Sequence, residues 1–200
     1  GLNSTLSAMT DGQAPFDISV QNQSGDVETV DFDAVLRAGG FDPDRELAWS
    51  RDVLYYYNKT EVTGIGDASG AVKVSDLDAL LERQGKSAYA GPLPALLDFR
   101  QADGLATGGL GINCVVIPDE MAGQLEVRRQ VWSADYAGEN REETEQRLLQ
   151  LVAPLREKLA IWAETRLSIY GDTVGNKILA LFLGLYLGFT FLLAAAAVLA

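Results

Sequence analysis

The chain predicts an α+β fold: a mixed sheet with short helices, followed by an amphipathic helix that leads into a transmembrane helix. Three patterns carry this expectation. Phe16, Ile18 and Val20 alternate with Asp17 and Ser19, the period of a half-buried strand. Leu148, Leu151, Leu155, Leu159 and Trp162 recur at spacings of three and four, the stripe of a one-sided helix. Ile178–Ala200 is a run of 23 residues with no charge and no proline. At about 1.5 Å per residue such a helix spans roughly 34 Å, enough for a hydrocarbon core of about 30 Å.

Taken in order, residues 1–14 are small and polar, with Leu2, Leu6 and Met9 spaced for a short helical stalk. The strand at Phe16–Val20 follows, then a polar turn around Gly25. Asp31 is placed to cap a short helix whose apolar positions are Phe32, Val35 and Leu36, and Gly39-Gly40 stops it. FDPDRE reads as a turn. Leu47–Thr63 reads as a strand region, with Val53, Tyr55 and Tyr57 on one face and Leu54 and Tyr56 on the other. AVKV is a short strand. Ser75 and Asp78 form a variant capping box for a helix with Leu77, Leu80 and Leu81 inward, ended by Gly85. Residues 87–111 are rich in Pro and Gly, as a hinge between two lobes or an irregular excursion is. INCVVIP is a buried-strand run. LEVRRQVWSADY alternates, with Leu125, Val127 and Val131 on one face and Arg128 and Gln130 on the other. Asn140, with Glu143 three residues on, caps a helix expected over 141–170 and kinked or split at Pro154. Gly171 and Gly175 are expected to break it before Lys177. The division is a water-soluble domain, 1–175, and a membrane helix, 176–200. The chain stops where that helix would emerge, as a fragment does.

Composition narrows the function. All 28 acidic and 16 basic residues precede Ile178, giving a net charge of −12. That sign argues against nucleic acid and against lying flat on anionic lipid. It favours cationic ligands, although an acidic solubilising surface is the simpler reading. There is no histidine, which disfavours zinc enzymes and Ser-His-Asp hydrolases. The one cysteine, Cys114, sits in an apolar run and reads as a core residue.

Few motifs suggest chemistry. Asp42, Asp44 and Glu46 begin like a calcium loop but lack its central Gly and distal Glu, so a solvated turn is the better reading. Gly64, Gly66 and Asp67 lack the rest of a phosphate loop. Glycosylation triplets at Asn3, Asn22 and Asn58 matter only in a eukaryotic secretory setting. No catalytic, cofactor-binding or metal-binding residues are assigned. Tyr55 and Tyr57 are candidates for a ligand face, against ordinary packing. Gly184 and Gly188 form GxxxG, a candidate face for close helix packing, against the general abundance of Gly in membrane helices.

Three segments carry a family resemblance. SDLDALLERQGK (75–86), GGLGINCVVIPDE (108–120) with Pro118-Asp119-Glu120, and the helix from Asn176-Lys177 onward resemble FtsX-like ABC transporter permeases of the Bce-type group. That group confers resistance to bacitracin and other antimicrobial peptides. The resemblance covers most of the chain, loosely between about 20 and 70. It implies an extracellular domain, residues 1–175, inserted between two late membrane helices of a permease in the cell membrane. It implies a separate cytoplasmic ABC ATPase subunit, other transmembrane helices of the same permease and, in such systems, often a sensor histidine kinase. The permease subunit itself is no enzyme. The ligands implied are peptide antibiotics or their lipid-linked targets. The alternative is a mechanotransmitting permease domain that binds a protein, such as a cell-wall hydrolase or lipoprotein. A membrane-anchored enzyme is a third class, disfavoured by the lack of His and of motifs. The helix over 141–170 is expected to link the outer domain to the membrane helix.

Overall fold

A computed structural model of the chain describes residues 16–22, 28–57, 70–97, 114–159 and 161–199. Alternation and capping select the elements. They are β1 (Ile18–Asn22), α1 (Phe32–Ala38), α2 (Pro43–Glu46), β2 (Leu47–Tyr56), β3 (Gly70–Lys73), α3 (Val74–Arg83) and β4 (Ala95–Leu96). There follow β5 (Cys114–Ile117), α4 (Asp119–Ala122), β6 (Val127–Tyr136), α5 (Arg141–Leu159), β7 (Ile161–Thr165) and α6 (Arg166–Leu199). The described strands form one sheet in the order β4-β5-β3-β2-β6-β1-β7. Only β3 and β5 pair in parallel; the other neighbours are antiparallel, so the sheet is mixed. The α+β expectation with a mixed sheet and short helices is met.

Both faces are covered. On one, α1 and α5 bury Phe32, Leu36, Leu148 and Val152 against Ile18, Val20, Trp132 and Ala134. On the other, Leu77 and Leu80 of α3 pack on Val53, Tyr55, Val72, Val116 and Val131. Tyr56, Ala71, Val115 and Ile117 have the opposite parity and meet Ala122 of α4 and Leu125. The stripe Leu148, Leu151, Leu155 and Leu159 is inward, as its spacing predicts. Asp31 caps α1 through the Ala34 amide at 2.9 Å. Gly39 lets α1 end against α5, because a Cβ there would collide with the Leu151 side chain. Gly40 follows at φ +78°, in the left-handed region that glycine tolerates.

Several expectations are corrected. FDPDRE is not a plain turn: Pro43–Glu46 is a single helical turn with proline at its start. Ser75 is not the cap of α3, which begins at Val74. The Ser75 amide donates instead to Asp119 Oδ1 at 3.2 Å, a cap supplied from another element. Asp78 accepts from the Tyr89 amide at 2.6 Å rather than closing a capping box. Gln130 lies opposite Val131 as its alternation predicts, and that face of β6 is covered by α1 and α5.

The largest correction falls on the expected helix over 141–170. It ends at Leu159, and Ile161–Thr165 pairs with β1 along its whole length. Trp162 continues the helical spacing by coincidence; it lies on β7 and is exposed, while Ile161 is buried. Pro154 neither splits nor ends α5. It sits on the exposed side, where loss of one amide and one hydrogen bond is tolerated. Gly171 and Gly175 do not interrupt α6, whose backbone is helical from Arg166 to Leu199. A glycine in a helix costs only about 1 kcal/mol, too little to end a helix of this length. The membrane helix expected from 176 is therefore the distal part of a longer helix that starts at the sheet. Among the described residues, no helix is long and apolar enough to cross a membrane. The described side chains from Ile178 to Leu192 are apolar and exposed, apart from the Tyr186 and Thr190 hydroxyls and the two glycines, but alone fall short of the ~20 residues a crossing needs. The stalk at 1–14, the turn around Gly25, Asn3, Asn58, Gly64, Gly66, Asp67 and most of 87–111 lie outside the described residues.

Candidate functional site

The strongest constellation forms where the chain enters and leaves the sheet. β1 and β7 are antiparallel neighbours, and Ile18, at the start of β1, faces Thr165, at the end of β7. Arg166 follows Thr165 directly and opens α6, so strand passes into helix without a loop. Thr165 is buried and caps that helix, its Oγ1 accepting the Ser168 amide at 3.1 Å.

Asp17 ties this junction together. Its side chain is 4 % exposed, and its Oδ1 lies 3.0 Å from Arg141 and 3.1 Å from Arg166. Its Oδ2 accepts the Tyr136 amide at 2.9 Å, and its carbonyl accepts the Arg166 amide at 2.9 Å. One residue therefore holds the ends of β6 and β7 and the first residues of α5 and α6. Glu145, on the inward face of α5, is buried beside it. Burial raises the Glu145 carboxyl above the usual carboxylate range, opposed by the Thr165 hydroxyl bond and reinforced by the charge of Asp17. Burial likewise raises the Tyr136 phenol, with Glu145 and Asp17 adding to it.

A second set of contacts brings α3 to the same place. Arg83 donates to both oxygens of Asp135, at 2.6 and 2.8 Å, and its guanidinium lies 4.3 Å from the Phe16 ring centre. Phe16 stacks on Trp49 at 5.4 Å. Asp135 Oδ1 also accepts the Asp17 amide at 3.3 Å. Farther along the sheet, Arg51 donates to Asp76 at 2.8 Å, with Lys73 at 3.7 Å from the same carboxylate. Burial still raises the Asp76 carboxyl, against both cations.

The residues singled out from sequence do not converge. Tyr55 is buried, and burial lifts its phenol, so it cannot line an open ligand face. Tyr57 lies just beyond β2, exposed, with the Arg128 guanidinium 5.9 Å from its ring centre. Gly184 and Gly188 are on α6 with open space where a Cβ would stand. Asp42, Asp44 and Glu46 are met by arginines: Arg37 reaches Asp44 at 2.7 Å and Asp42 at 3.8 Å, and Arg147 binds Glu46. With Gly40, Phe41 and Arg45 some of these line an open depression of about 700 Å³. Among the described residues, no group of three or more His, Cys, Asp or Glu side chains could hold a metal ion. Asn22 is fully buried, its amide donating to the Glu28 carbonyl at 2.7 Å, and is closed to glycosylation in the folded chain. Cys114 is a buried thiol whose ionisation is pushed up to about 12 by burial.

No family model matches the sequence, and comparison with curated proteins finds no match. The Asp17 junction was not visible in the sequence, since its ion pairs join residues more than a hundred positions apart. The one available signal was an aspartate in the alternating run that leads into β1, where either face of the strand turns out to be buried.

Proposed function

We propose that the chain is the extracellular domain of an ABC transporter permease together with the membrane helix that follows it. The domain handles or senses peptide antibiotics or their lipid-linked targets. The observation that carries this reading is the adjacency of Asp17-Ile18 and Thr165-Arg166. A domain inserted between two membrane helices needs its entering and leaving strands side by side, and antiparallel β1 and β7 satisfy that need. The exit strand runs straight into α6, which further supports it. In α6 the sequence from Ile178 onward is uncharged. Phe182, Phe189 and Phe191 are among its large exposed apolar side chains. The Thr190 hydroxyl donates back to the Tyr186 and Leu187 carbonyls at 2.9 and 2.8 Å, which suits a hydroxyl in lipid. On this reading a cytoplasmic ABC ATPase works through the permease's other transmembrane helices, and a sensor kinase can read the assembly.

A mechanotransmitting permease domain that grips a protein is the second reading. Leu93 and Leu96 favour it, both exposed, with Leu96 on β4 at the edge of the described sheet, where an extended segment of a partner can add. The described depression beside α1 and α2 offers charges rather than a Tyr- and Leu-lined groove. The test is binding of the membrane-reconstituted chain to cationic peptide antibiotics and lipid-linked cell-wall precursors, followed by calorimetry. Saturable binding supports the first reading. Uniform failure, with retention of the chain in alkali-washed membranes, shifts it to the second. Release into the alkaline wash would remove both.

A further inference from the structure

We infer that Asp17 is the positioning residue that fixes the direction of α6 relative to the sheet, an openable clamp between the outer domain and its C-terminal helix. The clamp deepens the permease reading and rests on it for its purpose, though not for its geometry. Three features distinguish it from an ordinary ion pair. Both guanidiniums address one atom, Asp17 Oδ1, at 3.0 and 3.1 Å, so a single carboxylate gathers the first residues of two helices. Its remaining polar groups are used by the frame: Oδ2 by the Tyr136 amide and the carbonyl by the Arg166 amide. Finally, Thr165 and Arg166 are consecutive, so no loop absorbs a change in the helix direction. Rotation of α6 must break the Arg166 contacts or drag β7 along β1.

The clamp is built to open. Asp17 is buried and stays with the sheet, whereas the Arg166 and Arg141 side chains are 36 % and 52 % exposed. A guanidinium leaving Asp17 therefore has a short path to water, and the buried carboxylate left behind favours its return. Arg166 Nε has no hydrogen-bond partner among the described residues, so the side chain is held through Asp17 rather than by a full set of acceptors. Arg166 lies 12 positions before Ile178, which puts the clamp roughly 18 Å from the start of the apolar run. It acts outside the hydrocarbon layer, as a joint at the base of the domain.

The test uses the full chain with Cys114→Ala and spin labels on Arg156→Cys in α5 and Leu181→Cys in α6. Electron–electron distances are measured in lipid nanodiscs and in detergent. The parent should give one narrow distance. Asp17→Asn and Arg166→Gln should each lose it for a broad distribution, and Arg166→Lys should restore part of the narrow component. Arg51→Gln, which breaks the pair with Asp76, should leave the distance narrow. An unchanged distance in Arg166→Gln, or equal broadening in Arg51→Gln, overturns the clamp. Should Asp17→Asn fail to fold, the two Arg166 variants still decide. Failure to enter nanodiscs counts against the membrane reading alone, because the detergent distances report the clamp independently.

Discussion

Glu164, on edge strand β7, is a carboxylate raised by burial, and its Oε2 has no hydrogen-bond partner among the described residues. A carboxyl with a raised folded pKa favours the folded state while protonated. That contribution is complete below the unfolded value of about 4.3 and is lost as pH rises through the folded value. Glu164→Gln should therefore match the parent in urea midpoint near pH 4 and exceed it at pH 7. A variant less stable than the parent at pH 7 would show that the charge has a stabilising partner. Asp17, unlike Glu164, has partners for its charge. Asp17→Ala strips a buried carboxylate from two arginines and from the Tyr136 amide. Because both arginines reach water, the loss should be about 2–3 kcal/mol by urea denaturation, below the range for a fully buried pair.

At the scale of elements, Thr165 is both the last residue of β7 and the cap of α6. Thr165→Ala should lower stability by about 1 kcal/mol through the lost cap. The same change should speed hydrogen exchange at the Ser168 amide, whereas uniform exchange along α6 would argue against a local cap. Pro154 gives the reverse case. α5 runs through it on its exposed side, so Pro154→Ala restores a helical hydrogen bond without disturbing the core. A gain of about 1–3 kcal/mol in thermal unfolding is expected. The periodicity of α5 was legible because Leu148, Leu151, Leu155 and Leu159 face the sheet. β7 was not, because Trp162 happens to extend that spacing and five residues are too few for a period to declare itself.

At the scale of the whole molecule, the sheet anchors α6 at its first residue, while the side chains described from Ile178 to Leu192 stand exposed. Leu185→Lys places a charge near the middle of the apolar run. It should abolish retention of the chain in alkali-washed membranes, and the sheet should unfold at the parent's urea midpoint. Retention unchanged by the lysine would mean that α6 does not sit in lipid. Trp132, buried at the centre of the sheet against Phe32, is the counterpart for the domain. Its replacement by alanine should cost about 3–5 kcal/mol in stability without affecting retention.

Local pattern was enough for the fold class, for the strands around Ile18, Val53, Val115 and Val131, for the cap at Asp31, and for the apolar run at the end. Each of these rests on residues within a few positions of one another, where period and capping chemistry act directly. Tertiary structure alone decided that Tyr55 is buried, that Gln130 turns inward to bond Val30, and that Ser75 is capped by Asp119. It also decided that residues after Leu159 return as a strand and that Asp17 meets Arg141 and Arg166. The reason is physical: a five-residue strand has no stability of its own and exists because β1 offers it hydrogen-bonding partners. An ion pair across the fold likewise exists only after the sheet has brought its members within reach.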